Sequence, residues 1–201
     1  VSAVTWVDFF VEEASMAAAL EILVPKLRAD FLFQIHEYAG IGDMLGKLPA
    51  RLRGISKYIQ PDQRVVVVRD EDRKDCRVLK RQIEAIARSA GLIPRGKSGT
   101  FHVMTRIAVE ELEAWFLGDI PALAAAYPGV PATLGSQRGF RDPDAVKGGT
   151  WEALERVLQS AGHFPSGLPK TQVARAMAER MEPARNTSRS FQVFRDGVLS
   201  L

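Results

Sequence analysis

Three apolar runs in this 201-residue chain each lead directly into acidic residues. Val65-Val66-Val67-Val68-Arg69 leads into Asp70-Glu71-Asp72, Val4 to Val11 into Glu12-Glu13, and Phe101 to Val109 into Glu110-Glu111-Leu112-Glu113. Four consecutive Val residues describe a strand buried on both faces, as a parallel sheet between helices requires. In open α/β sheets ligands bind beyond the carboxyl ends of the strands, so acids there are candidates for catalysis. If the Val4 and Val65 strands are parallel neighbours, Glu12 approaches Asp70 and Asp72. The strand from Phe101 then delivers Glu110 and Glu113 to the same edge. Carboxylates gathered in this way repel one another unless a cation sits between them. Hard oxygen ligands select Mg2+ or Mn2+, and one or two such ions activate a water and neutralise charge during in-line attack at phosphorus. A plain loop whose Asp caps a helix beginning near Lys74 would explain Asp70 and Asp72. It leaves Glu12 unexplained.

Two further stretches suit anions. Arg185-Asn186-Thr187-Ser188-Arg189-Ser190 is rich in donors, and Arg185 and Arg189 are candidate phosphate contacts. Lys147-Gly148-Gly149-Thr150 places a cation and a backbone nest at a helix start. Either stretch is equally a loop braced by internal hydrogen bonds. Asp75 reads as a first-turn residue favouring the helix dipole, Glu111 as solvent-facing and Cys76 as a small core residue. The three histidines and three tryptophans read as structural or exposed, and as core, respectively.

The elements that must position these residues follow from periodicity. Val4 to Val11, Phe31 to Tyr38, the Val65 run and Phe101 to Val109 read as strands. Between them lie a helix over 14–28 with Pro25 in its last turn, and a basic helix from Asp43 to about Tyr58 that Pro49 should break in two. A third helix has Cys76, Leu79, Ile83, Ile86 and Ala90 on one stripe and ends at Gly91. Residues 94–100 read as a mobile loop, and Glu110 to Leu117 turns helical. Strands alternating with helices give an α/β fold with a mainly parallel sheet of about four strands and helices on both faces. Beyond Asp119 the pattern becomes helical, with helices expected over 150–161 and 169–181 and at the C-terminus. The expected organisation is an α/β domain over 1–118 with a helical extension over 119–201 packed on it.

Composition narrows the class. The chain is 46% hydrophobic, enough for a proper core, and its single cysteine excludes an intramolecular disulfide and fits a reducing cytoplasm. No Cys/His cluster has zinc spacing, no apolar run is long enough to span a bilayer, and no secretory leader is expected. Net charge is +3, and its distribution is uneven. Lys47, Arg51, Arg53 and Lys57 fall in an acid-free stretch from Met44 to Pro61, and residues 163–201 carry net +3. Residues 101–162 carry net −3. An acidic centre between basic surfaces suits metal ions beside a polyanion.

A strand followed by Glu and a later strand followed by Asp-x-Asp resembles the Toprim domain of topoisomerases, primases and OLD-type nucleases. The chain is more closely similar to a bacterial Toprim-like domain-of-unknown-function family, family 4276. That match is carried by Val11-Glu12-Glu13-Ala14-Ser15, Asp70 to Cys76, Ile107 to Trp115 and Arg185 to Phe191. The resemblance implies Glu12 as general acid/base or metal ligand and Asp70 and Asp72 as the metal pair, with Glu110 or Glu113 comparable to the further acids of OLD-type nucleases. It also implies Mg2+ or Mn2+ as cofactor, nucleic acid as partner, and an ATPase encoded nearby, in defence against phage. The chain's one Gly-x-x-x-x-Gly-Lys-Ser stretch, Gly91 to Ser98, falls between the end of a helix and the start of a strand, the reverse of the strand-to-helix setting of a phosphate-binding loop. It departs from the Toprim pattern in holding Glu13 and Asp75 about where glycines usually stand. Three readings follow. The first is a metal-dependent nuclease, the second a non-catalytic Toprim-shaped partner-binding or regulatory subunit. The third is an Asp-x-Asp phosphatase with Asp70 as nucleophile and Asp72 as acid, which gives Glu12 no role.

Overall fold

The computed structural model describes residues 3–72, 74–96 and 99–201. Its sheet is built from β1 (Trp6–Val11), β2 (Leu32–Glu37), β3 (Gln63–Asp70) and β4 (Val103–Ala108), all parallel, in the order β2-β1-β3-β4. Val65 to Val68 are each 0% exposed, as a strand between two helical layers demands. Alternation sends Val66 and Val68 into one apolar cluster and Val65 and Val67 into the other.

The connections explain which helix covers which face. A right-handed crossover puts its helix on opposite faces according to the direction in which the chain steps along the sheet. From β1 the chain steps outward to β2 through α1 (Ala14–Leu27), then back past β1 to β3 through α2 (Ile41–Ile55) and on to β4 through α3 (Cys76–Ser89). Accordingly α1 lies with Val7, Phe9 and Val66 on one face. The other face holds α2 and α3 with Phe10, Val65 and Val67. The direction reverses between β1 and β3, which makes their carboxyl ends the switch point of the sheet.

Pro49 does not break α2, which runs uninterrupted. Pro49 has no N–H for the carbonyl of residue 45, a loss of about 3 kcal/mol in a helix interior. Met44, Leu48, Leu52 and Ile55 are buried from the same helix, each worth roughly 1.5–3 kcal/mol, and this packing outweighs the defect. The helix expected near Lys74 starts at Cys76, and its cap is Asp75, whose carboxylate accepts from the amides of Arg77 and Val78 at 2.7 and 3.2 Å. Of the loop over 94–100, Pro94 bridges to Val103, while Lys97 and Ser98 lie outside the described residues, as does Arg73.

The remaining helices are α4 (Glu113–Leu117), α5 (Ile120–Ala126), α6 (Thr150–Ser160), α7 (Lys170–Arg180) and α8 (Arg189–Leu199). They build onto the α1 face: Leu123, Leu154, Val173, Met177, Phe191 and Phe194 share one apolar cluster with Val7, Val66 and Met104. Among the described residues no helix is long and apolar enough to cross a membrane.

Candidate acidic centre at the strand ends

Register brings the three acidic stretches together. Val11 pairs with Val68, so Glu12 follows beside Arg69, and Asp70 pairs with Ala108, two residues before Glu110. Glu12 and Glu113 are 5% and 4% exposed, and Glu113 opens α4, which the chain enters straight from the β4 end. Oε2 of Glu12 and Oδ1 of Asp70 are buried without a hydrogen-bond partner. Burial, then the charges of Glu113, Glu12, Glu13 and Asp72, pushes the Asp70 carboxyl well above the ordinary carboxylate range. Glu12 rises to about 7, through burial and then Asp72, with Arg69 opposing. Glu113 also rises to about 7, mainly through burial. Without a cation, protons take up part of the charge this cluster cannot hold.

The loops that carry the acids are strained and laced to each other. Asp72 and Glu110 have φ of +51° and +59°, a left-handed backbone that non-glycine residues rarely adopt and that costs of order 1–3 kcal/mol at each position. The amide of Asp72 donates to the carbonyl of Glu110 at 3.1 Å, and that of Glu71 to Ala108 at 2.9 Å. The Glu71 carboxylate then receives the amides of Cys76 and Glu110 at 3.1 and 3.2 Å. Glu71 thus ties the start of α3 to the end of β4. Asp72, Glu110 and Glu111 line a cleft of about 250 Å³ together with Gly149 at the start of α6.

Among the described residues, Arg69 and Lys170 face the acids. Arg69 is 1% exposed, with Nε 3.7 Å from Oε2 of Glu12, and both its terminal nitrogens are buried without partners. Lys170, the first residue of α7, lies 3.5 Å from Glu13 and 4.8 Å from the ring centre of Trp151. Burial lowers its pKa, but Glu13, Glu113, Glu111 and Asp70 outweigh that and hold it raised.

A family model described as a domain of unknown function (DUF4276) matches residues 11–199. The chain belongs to the DUF4276 family. No match was found among curated proteins or solved structures. The DUF4276 span begins at the last residue of β1, one before Glu12, and takes in all the acids above together with Lys170.

Among the described residues of this DUF4276 chain, no set of three or more acid, His or Cys side chains is arranged as a ready-made metal cage. Mg2+ is commonly held by only one or two carboxylates plus waters and substrate phosphate. The orphaned oxygens of Glu12 and Asp70 supply acceptors of that kind.

The phosphate candidates sit differently. Arg185 donates from Nε to Oδ1 of Asp119 at 2.7 Å, and buried Asp119 also accepts from the amides of Ala122 and Glu182. Asn186, Ser188 and Ser190 bond to the Trp115 carbonyl, to Asp144 and to the Trp115 indole. This segment is a brace, and its donors are spent inside the fold. Arg189 is exposed and faces a separate groove beside β4, shared with Arg77 and Arg106. Lys147 is exposed, and the neighbouring Gly149 borders the acidic cleft. The anion position at the start of α6 is already filled, since the Glu111 carboxylate accepts from Thr150 Oγ1 and the Trp151 amide at 3.0 and 2.8 Å. Glu111 is therefore a helix cap rather than a solvent-facing residue. Glu71, Arg69 and Lys170 escaped the sequence reading. Arg69 directly follows the Val run, which was a usable signal, whereas no spacing links Lys170 to residues a hundred positions earlier.

Proposed function

We propose that the chain is a metal-dependent phosphodiester hydrolase of the Toprim nuclease type acting on nucleic acid. The observation that carries the reading is the pair of buried carboxylate oxygens on Glu12 and Asp70, neither of them hydrogen-bonded, at the β1/β3 switch point. Glu12, Asp70 and Asp72 would hold Mg2+ or Mn2+, with Glu110 or Glu113 assisting. Bound there, the ion supplies charge neutralisation at phosphorus and makes water more acidic. Glu12 would take a proton from the attacking water and return it to the leaving oxygen. A P–O bond to water forms as the P–O bond to the leaving nucleotide breaks. Lys170 and Arg69 add fixed positive charge beside the phosphate. An ATPase partner and a role in phage defence rest on the Toprim resemblance alone.

The test is Mg2+- or Mn2+-dependent cleavage of single- and double-stranded DNA and RNA by wild type, Asp70→Ala and Glu12→Gln. Metal-induced thermal stabilisation is followed in parallel. Both variants should lose cleavage, and Asp70→Ala should lose the metal-induced shift. Cleavage that survives both substitutions would refute the reading, and hydrolysis of small phosphomonoesters alone would move the assignment to an Asp-x-Asp phosphatase.

A further inference from the structure

The two edges of the sheet are finished differently. At β4 the outer side is covered. Val103 exchanges hydrogen bonds with Ile93 and Arg95 at 3.1 and 2.7 Å. The Arg106 guanidinium donates to the Thr105 carbonyl at 2.9 Å and, from Nε, to the Val193 carbonyl of α8 at 3.0 Å. At β2 there is no such cover among the described residues. The amides of Leu32 and Tyr38 donate inward, to the carbonyls of Thr5 and Val11 at 2.9 and 3.0 Å. Backbone groups alternate sides along a strand, so those of Phe33, Ile35 and Glu37 point outward from the sheet. Their three N–H and three C=O groups have no hydrogen-bond partner among the described residues.

This edge also lacks the devices that keep strands from pairing. Exposed edges are ordinarily blunted by Lys, Pro, a bulge or a covering helix. Leu32-Phe33-Gln34-Ile35-His36-Glu37 contains no Lys, Arg or Pro, and its register with β1 runs through all six residues without a bulge. Leu32 is 69% exposed, more than any other large apolar side chain described. On the α2 side no helix overhangs the strand, since Gln34 and His36 line an open groove of about 720 Å³. The unpaired backbone groups are therefore open to another strand.

We propose that β2 is a pairing surface for a second copy of this chain, joined antiparallel across a two-fold axis at Ile35. Self-complementarity selects that occupant. With Ile35 opposite Ile35 of the second copy, Phe33 falls opposite Glu37, and all three outward residues of each strand are hydrogen-bonded at once. A shift by two residues either way leaves one outward residue of each strand without a counterpart in β2. On the α1 side the Ile35 side chains meet each other. On the α2 side Gln34 meets His36, and the exposed Leu32 meets Tyr38. No like charges fall directly opposite one another, an arrangement that would disfavour pairing. The pair joins two four-stranded sheets into one. Because the halves run in opposite directions, each acidic centre stays open at its own end. The surface is separate from that centre and does not depend on the hydrolase reading.

Sedimentation velocity of the full chain from about 1 to 500 µM tests it, bracketing the Kd of roughly 1–100 µM expected of so small an interface. Wild type should pass from monomer to dimer over that range. Hydrogen exchange of the segment 31–38 should slow as the dimer forms, because the amides of Phe33, Ile35 and Glu37 become bonded. Leu32→Lys combined with Gln34→Lys places charges at exposed positions on the edge and should weaken dimerisation at least about 10-fold. Gln34→Lys alone should weaken it to a lesser degree. Both variants should melt as wild type does when all are diluted well below the Kd. Dimerisation is read without metal or substrate, so failure of the hydrolase reading leaves this result untouched. A chain that stays monomeric throughout would overturn the proposal and leave the edge to a strand of another protein. A dimer whose 31–38 amides exchange no more slowly would overturn it too, as would one that both lysine variants leave undiminished.

Discussion

Glu113→Gln gives a direct reading of how much charge the acidic centre forces onto a buried group. The glutamine keeps the shape of the protonated acid and removes its ability to ionise. Folding raises the Glu113 pKa from an ordinary 4.5 to about 7. Below pH 4.5 the group is protonated in folded and unfolded chains alike and contributes no difference. Between pH 4.5 and 7 the unfolded chain releases the proton while the folded one keeps it, so wild-type stability falls with rising pH. Above pH 7 both forms are ionised and the loss is complete. The full span corresponds to about 3 kcal/mol. Urea unfolding of both proteins at intervals from pH 4.5 to 8, without divalent metal, measures it. The stability of Glu113→Gln relative to wild type should rise with pH across that window and level off near pH 7, and titrating groups not coupled to Glu113 cancel in the difference. A difference flat with pH would refute the reasoning.

Three shorter tests address the supports of the centre. Asp72→Gly should be about 1 kcal/mol more stable than Asp72→Ala, because only glycine relieves the left-handed backbone there; paired thermal melts decide it, and equal melts would remove the strain argument. Asp119→Ala should cost about 3 kcal/mol, since it strands two amides as well as the partner of Arg185. Arg185→Ala should leave affinity for nucleic acid in a gel-shift titration unchanged. Lys170→Met should move the pH-dependent step of the Glu113 difference upward by up to about 1 on the pH scale, as loss of a nearby opposite charge does.

The sheet was legible because its cause is local: an unbroken Val65–Val68 run has one comfortable environment, and acids placed after three apolar runs follow the chain wherever those runs go. Adjacency of β1 and β3 was only a condition in the sequence, and the crossover order supplies it. Pro49 misled because a local penalty of a few kcal/mol was set against packing that only the folded helix makes. Arg185 and Glu111 misled for a related reason. Arg185 beside hydroxyl groups reads as a ligand site, and Glu111 as solvent-facing, until the buried Asp119 carboxylate and the Trp151 amide of α6 appear as their internal partners, and these lie 66 and 40 positions away. Lys170 is the harder case, because its meaning depends entirely on α7 packing on α1 beside Glu13.

The orphaned atoms constrain the ligand more tightly than the acids alone. Glu12 and Asp70 each leave an acceptor unsatisfied, and Arg69, in the same centre, leaves two donors unsatisfied. A metal ion by itself would satisfy the oxygens and leave the two terminal nitrogens of Arg69 without partners. A phosphate by itself would satisfy the guanidinium and repel the carboxylates. An ion and phosphate oxygens together, as a metal-bound phosphodiester presents them, would meet both sets. Binding should therefore be synergistic. Saturating Mn2+ and phosphate together, at about 100 times their joint Kd, should stabilise the chain by about 2.7 kcal/mol, a rise in Tm of roughly 5–10 °C for a protein of this size. The effect should exceed the sum of the two separate shifts. Arg69→Met should lose the synergy while retaining the shift with Mn2+ alone. Strictly additive shifts in wild type would show that the donors and acceptors serve different ligands, and would remove phosphate from the acidic centre.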